Sequence, residues 1–160
     1  MGMTNTFESR LPDPTQVFPE LGAMMGLMAK PIQGGAVPQI TINLVQLRAG
    51  QVAGSTYLTT GQTALLRAAG ESEQRITAVA TWRDAPFFSE AERVALELAE
   101  AVLTPGKTVS DELYGRAAAH YDDKALWALT LAIGQISYLI PVALIGKPVP
   151  GMPPGQNYTR

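Results

Sequence analysis

The chain has 160 residues, 46% of them hydrophobic, enough for one globular domain with a sizeable core. Its formal net charge is -2 and its 12 Lys and Arg residues are scattered, so it lacks the clustered basic face that nucleic acid requires. It contains no cysteine, which excludes disulfides, thiolate nucleophiles and zinc–thiolate sites.

Residues Met1 to Arg10 carry no apolar run of the secretory kind, so a cytoplasmic location is expected. Met1-Gly2-Met3-Thr4-Asn5-Thr6 fits a myristoylation pattern, and Asn157-Tyr158-Thr159 is a glycosylation sequon that has meaning only after secretion. Phe18-Pro19-Glu20 predicts a helix start with Pro19 at the first helical position. That helix runs through Leu21, Met24, Met25 and Met28 into a Gly- and Pro-rich loop, Pro31 to Pro38. A second helix spans Gln39 to Ala53 and stops at Gly54; a third spans Ser55 to Ala69 and stops at Gly70. Ser72 caps a fourth, which carries Ile76, Val79 and Trp82.

Ser89-Glu90-Ala91-Glu92 is a capping box and opens a fifth helix, whose Val94, Leu98, Ala101 and Val102 predict one buried stripe. Ser110-Asp111-Glu112 starts a sixth that reaches His120, and a seventh runs from about Asp123 to Ile145. No segment alternates as a strand does. The expected fold class is all-α, with about seven helices.

The seventh helix carries no charge from Ala125 to Gly146, long enough to cross a membrane. It also holds Thr130, Gln135, Ser137 and Pro141 and lacks flanking basic clusters, so the central helix of a soluble bundle is the favoured reading. Beyond it, Pro148, Pro150, Pro153 and Pro154 with Gly151 and Gly155 exclude helix. The expected organisation is one domain over residues 1–147 and an arm over 148–160, either frayed or laid over a neighbouring subunit.

The run Asn43 to Gln62 resembles the signature of the carboxymuconolactone decarboxylase and alkylhydroperoxidase D family. In that frame a glutamate is followed by a Cys-x-x-Cys pair and then by a histidine. Asn43, Ser55, Leu58 and Gln62 stand in those places here. Ala68-Ala69-Gly70-Glu71, Ala80 to Pro86 and Ala128 to Ile133 extend the resemblance. It implies a helical bundle that assembles as a homo-oligomer, a trimer or hexamer. It also implies loss of the dithiol peroxidase chemistry, in which one thiolate attacks a hydroperoxide and the second resolves the sulfenic acid.

Each of the four positions has a structural reading beside a functional one. Ser55 suits an N-cap, or else a ligand contact or acylable nucleophile. Leu58 falls on a stripe with Gln62, Leu65, Leu66 and Ala69 and reads as core. Asn43 and Gln62 keep hydrogen bonding and lose proton exchange near neutral pH. Gln62 either bonds Asn43, Tyr57 or a water, or reads a ligand. A non-redox activity of the decarboxylase type would draw on Arg48, Tyr57, Gln62 and His120. For His120 the favoured reading is a helix-end cation. No cofactor, metal, nucleic acid or membrane partner is expected; the protein is expected either to bind a small molecule or to serve as an oligomeric scaffold.

Overall fold

Nine residues of one helix, Thr41 to Leu47 with Ala49 and Gly50, are buried, and the rest of the protein is arranged around them. The structure is a computed structural model that describes residues 7–153 and 155–160. The myristoylation pattern lies outside the described residues. In chain order the helices are α1 (Pro14–Val17), α2 (Glu20–Ile32), α3 (Gln39–Ala53), α4 (Thr56–Ala68) and α5 (Glu73–Ala78). A 3₁₀ turn (Val79–Thr81), α6 (Glu90–Leu103), α7 (Asp111–Ala118) and α8 (Asp123–Gly146) complete them. No strand occurs among the described residues, so the all-α expectation holds with eight helices in place of seven.

The punctuation read from the sequence is what fixes the helix starts. Ser55, Ser72, Ser89, Ser110 and Asp122 each accept a hydrogen bond from the backbone amide three residues on. Such a cap stabilises its helix by about 1 kcal/mol, because that amide has no partner inside the helix. Ser89 and Glu92 close both halves of the capping box. Gly54 (φ 69°) and Gly70 (φ 82°) end α3 and α4 in the left-handed region.

Several details depart from the expectation. Pro19 is the N-cap of α2, because the short α1, capped by Asp13, occupies the segment just before it. Leu65, Ala69 and Val102 are exposed, so the stripes predicted on α4 and α6 are narrower than their apolar residues imply. His120 lies past the end of α7, in a turn.

The largest departure concerns the centre of the bundle. Both α3 and α8 pack against several helices, but α3 is buried over most of its length and the more apolar α8 is not. Gly50 permits the close packing of α3 on α4, since a Cβ there would sit 3.2 Å from both Leu58 Cβ and the Thr59 amide nitrogen of α4. α8 buries Ala125, Ala128, Leu129, Ala132, Ile133 and Ile136 but leaves Trp127 66% and Ile145 62% exposed. It is long and apolar enough to cross a membrane, and 33% of its most apolar window is buried.

The segment after α8 is hydrogen-bonded to the rest of its own chain. It turns back on the same chain: Val149 N–H donates to Asn157 C=O at 2.7 Å. Ser9 and Thr159 then exchange amide-to-hydroxyl bonds of 2.8 and 2.9 Å. Arg160 Nη1 donates to Arg10 C=O at 2.5 Å.

Candidate functional site

All four positions of the 43–62 frame are occupied by groups engaged in packing or amide hydrogen bonds. Ser55 is buried, and its Oγ accepts from the Leu58 amide at 3.2 Å. Leu58 is also buried and packs with Ala49, Ile136 and Ala143 in a small apolar cluster. Burial of such a leucine is worth about 1.5–3 kcal/mol. Asn43 Oδ1 accepts from Gln39 Nε2 at 2.7 Å, one helical turn away. It makes no bond to Gln62.

Gln62 donates instead to Gln46 Oε1 at 3.2 Å. Gln46 is buried, and its Nε2 donates to the Ala132 carbonyl at 3.0 Å and to Gln135 Oε1 at 2.9 Å. Three side-chain amides thus join α4, α3 and α8 in series. Gln62 Oε1 is buried without a partner among the described residues. An amide accepts or donates but does not change protonation near neutral pH, so this chain cannot relay protons as a carboxylate and imidazole would.

The remaining candidates lie in different surroundings. Arg48 Nε donates to the buried Glu100 at 2.7 Å, and Arg48 Nη1 to Gln51 Oε1 at 3.1 Å. Glu100 also accepts from Trp82 Nε1 at 2.9 Å and Arg83 Nη1 at 2.6 Å. Burial opposes the charge on Glu100, but these hydrogen bonds from Trp82, Arg83 and Arg48 hold its carboxyl below the usual glutamate range. Arg48 is therefore a member of an ion-pair network between α3, the 3₁₀ turn and α6.

His120 is exposed at the rim of a cavity of about 550 Å³ that Glu71, Arg75, Glu92 and Tyr121 also line. The polar groups there serve the fold. Arg75 pairs with Glu92 at 2.7 Å and Glu71 at 3.1 Å, and Tyr121 Oη donates to the Ala91 carbonyl at 2.7 Å. Among the described residues no group of three or more His, Asp or Glu side chains is placed to hold a metal.

A second cavity, of about 420 Å³, lies against Ser55 itself. Gly54, Ser55, Thr56 and Tyr57 at the start of α4 form one wall, and Ala143, Leu144 and Lys147 at the end of α8 face them. Phe7, Glu8 and Arg10 close it from the N-terminal segment and Pro148 to Pro150 from the C-terminal one. Tyr57 Oη accepts from Asn157 Nδ2 at 2.6 Å, tying this wall to the returning arm. Gln46, Gln135, Arg10, Lys147 and Asn157 escaped the sequence reading. The three amides and the two cations meet only across long separations in the chain, and no local spacing marks them.

Residues 19–101 match the model of the Carboxymuconolactone decarboxylase family. YdfG of Bacillus subtilis (strain 168), an uncharacterized protein, is 36% identical over 123 residues, 76% of this chain and 84% of YdfG. The uncharacterized YnjA of Escherichia coli (strain K12) is 51% identical over 63 residues, covering 39% of this chain and 35% of YnjA. The crystal structure of ATU0492 from Agrobacterium tumefaciens, a protein of unknown function proposed to be the antioxidant defence protein AhpD, aligns with a TM-score of 0.82. That alignment covers 91% of this chain and 100% of ATU0492 at 24% identity. The debrominase Bmp8 aligns with a TM-score of 0.76 at 20% identity, over 86% of this chain and 76% of Bmp8. Likenesses at these identities establish the fold alone. The family match, the YdfG relationship and the frame from Asn43 to Gln62 together make this chain a cysteine-free member of the carboxymuconolactone decarboxylase family.

Proposed function

We infer that the protein binds a small organic molecule in the cavity beside Ser55 and carries out no thiol peroxidase chemistry. The observation that carries the reading is the contrast at the start of α4. The four frame positions are spent on a cap, a core contact and amide bonds, while a cavity of about 420 Å³ stays open against Ser55, Thr56 and Tyr57. That volume and its mixture of apolar walls and a few polar groups suit a ring-sized ligand. One fold neighbour supports the choice of ligand size, since a Bmp8 variant is described in complex with 2,3,4-tribromopyrrole.

Native mass spectrometry of the purified protein tests the reading directly. A retained small-molecule mass that disappears in Thr56→Trp, which fills the cavity mouth, is the expected result. Retention unchanged by that substitution would place the ligand elsewhere. Saturable turnover of an organic hydroperoxide by the metal-free protein would overturn the reading altogether.

Assembly into a homo-oligomer, trimer or hexamer, belongs to the same proposal. Its support is the large apolar side chains that α2 and α8 leave to solvent, Leu27 65% and Trp127 66% exposed. The mass of the native species checks it, and a monomer would count against it. A non-redox enzyme remains the second reading, but Arg48, Tyr57 and His120 offer it three separate surroundings and no shared centre. Recovery of the protein in detergent-free buffer would support the soluble, cytoplasmic expectation over a membrane anchor formed by α8.

A further inference from the structure

Lys147 is the sole residue other than glycine with a positive φ among the described residues, at 51°. It is the C-cap of α8, a place that glycine ordinarily fills because a Cβ is strained there. Its side chain lines the cavity beside Ser55, as does that of Arg10. Neither cation takes part in any ion pair among the described residues, whereas Arg48, Arg67, Arg75, Arg83, Arg93 and Arg116 all do. Glu8 is the one carboxylate in the same lining, so the cavity carries a surplus positive charge.

Tyr57 adds direction to that charge. Its oxygen accepts from Asn157 Nδ2, which leaves the phenolic hydrogen to be donated to another acceptor. Phe7, Leu144 and Val149 add apolar surface to the same lining. With Glu8 offsetting one of the two cations, a neutral or cationic ligand would leave the surplus positive charge without a counter-charge. An anion would neutralise that surplus and take the phenolic hydrogen.

We propose that the cavity takes an organic anion, its charged head between Arg10 and Lys147 and its apolar body against Phe7, Leu144 and Val149. This rests on the reading of that cavity as the ligand site and adds the class of ligand. A competing explanation for Lys147 is that a cation complements the dipole at the end of α8. The two differ in what happens when the side chain is removed and the backbone is relaxed.

Benzoate and benzamide, equal in shape and different in charge, are the probes, each titrated by ligand-observed NMR at low salt. Benzoate is expected to bind at least about tenfold more tightly than benzamide, and to lose most of that advantage at about 0.5 M salt. Lys147→Gly should weaken benzoate at least about threefold and leave benzamide alone, while melting no lower than the parent because glycine is at ease at this φ. Arg10→Gln keeps the backbone bonds of Arg10 and should weaken benzoate likewise, so the test does not depend on one variant. Glu8→Gln should tighten benzoate.

Equal binding of the two probes, or unchanged benzoate affinity in both Lys147→Gly and Arg10→Gln, would overturn the anion assignment and leave the cavity reading intact. Failure of both probes to bind at millimolar concentration would overturn the two together.

Discussion

Gln62 gives its Nε2 hydrogen to Gln46 Oε1, and the direction of that bond is dictated from α8 by the carbonyl of Ala132. A carbonyl only accepts, so Gln46 must turn its Nε2 toward Ala132 and its Oε1 toward Gln62. Gln62 is then obliged to donate, and its own oxygen is left over, buried and without a donor. The order of the three amides is thus set by one backbone group.

The two glutamines should therefore respond unequally to substitution. Gln46→Leu strands the side-chain amides of Gln62 and Gln135 and is expected to cost about 1–3 kcal/mol. Gln62→Leu removes a solitary acceptor along with one bond and strands only Gln46 Oε1, so its cost should be the smaller, about 1 kcal/mol. Urea unfolding midpoints of the two variants check the order, and a costlier Gln62→Leu would reverse it.

Gly50 is the contact on which α3 and α4 close. Gly50→Ala would bring a Cβ to 3.2 Å from Leu58 Cβ and the Thr59 amide nitrogen, and a backbone atom cannot swing aside. A loss of about 1–3 kcal/mol is expected despite the better helix propensity of alanine. Thermal unfolding will show whether packing or propensity prevails.

Acid should loosen the packing of α3 against α6 through Glu100. Its folded carboxyl titrates below the ordinary glutamate range, so its contribution is present above that range and lost as pH falls through the lowered value. Glu92 and Glu97 act in the same sense, the first through Arg75 against the cost of burial, the second chiefly through its hydrogen bond from Arg116. Glu100→Gln should lower stability at pH 7 by about 1–3 kcal/mol and flatten, without abolishing, its fall as pH drops through and below the ordinary glutamate range.

Alkali provides the complementary test. Burial pushes the Tyr121 and Tyr158 hydroxyls up to about 12, with Glu92 adding to the first and Tyr57, Asp13 and Tyr138 to the second. An unfolded phenol ionises near 10, so the stability these groups give is complete below that value and lost as pH rises toward 12. Ultraviolet titration should show two of the five tyrosines ionising late in the native protein. Tyr158→Phe should remove one of them.

The helices were legible because their starts are written in single residues. Ser55, Ser72, Ser89, Ser110 and Asp122 each sit where the first unpaired amides need an acceptor, and Gly54 and Gly70 where a left-handed residue ends a turn. The centre of the bundle was not legible. α3 carries the polar residues Thr41, Asn43 and Gln46, yet all three are buried. The side chains of Asn43 and Gln46 find partners on α3 itself and on α4 and α8, which no local pattern records. The frame from Asn43 to Gln62 located the start of α4, but the cavity beside it is closed by residues near both ends of the chain.

The clasp between Ser9 and Thr159 makes the two ends of the described chain neighbours. A circular permutant should therefore be tolerated if a short linker joins these segments and new termini open at the exposed Pro105–Gly106 turn. Because Phe7, Glu8 and Arg10 line the cavity beside Ser55, a tag joined close to Phe7 is a candidate competitor for whatever enters it. Tag removal before any ligand screen, or the permutant in its place, would separate a vacant cavity from one plugged by the experimenter.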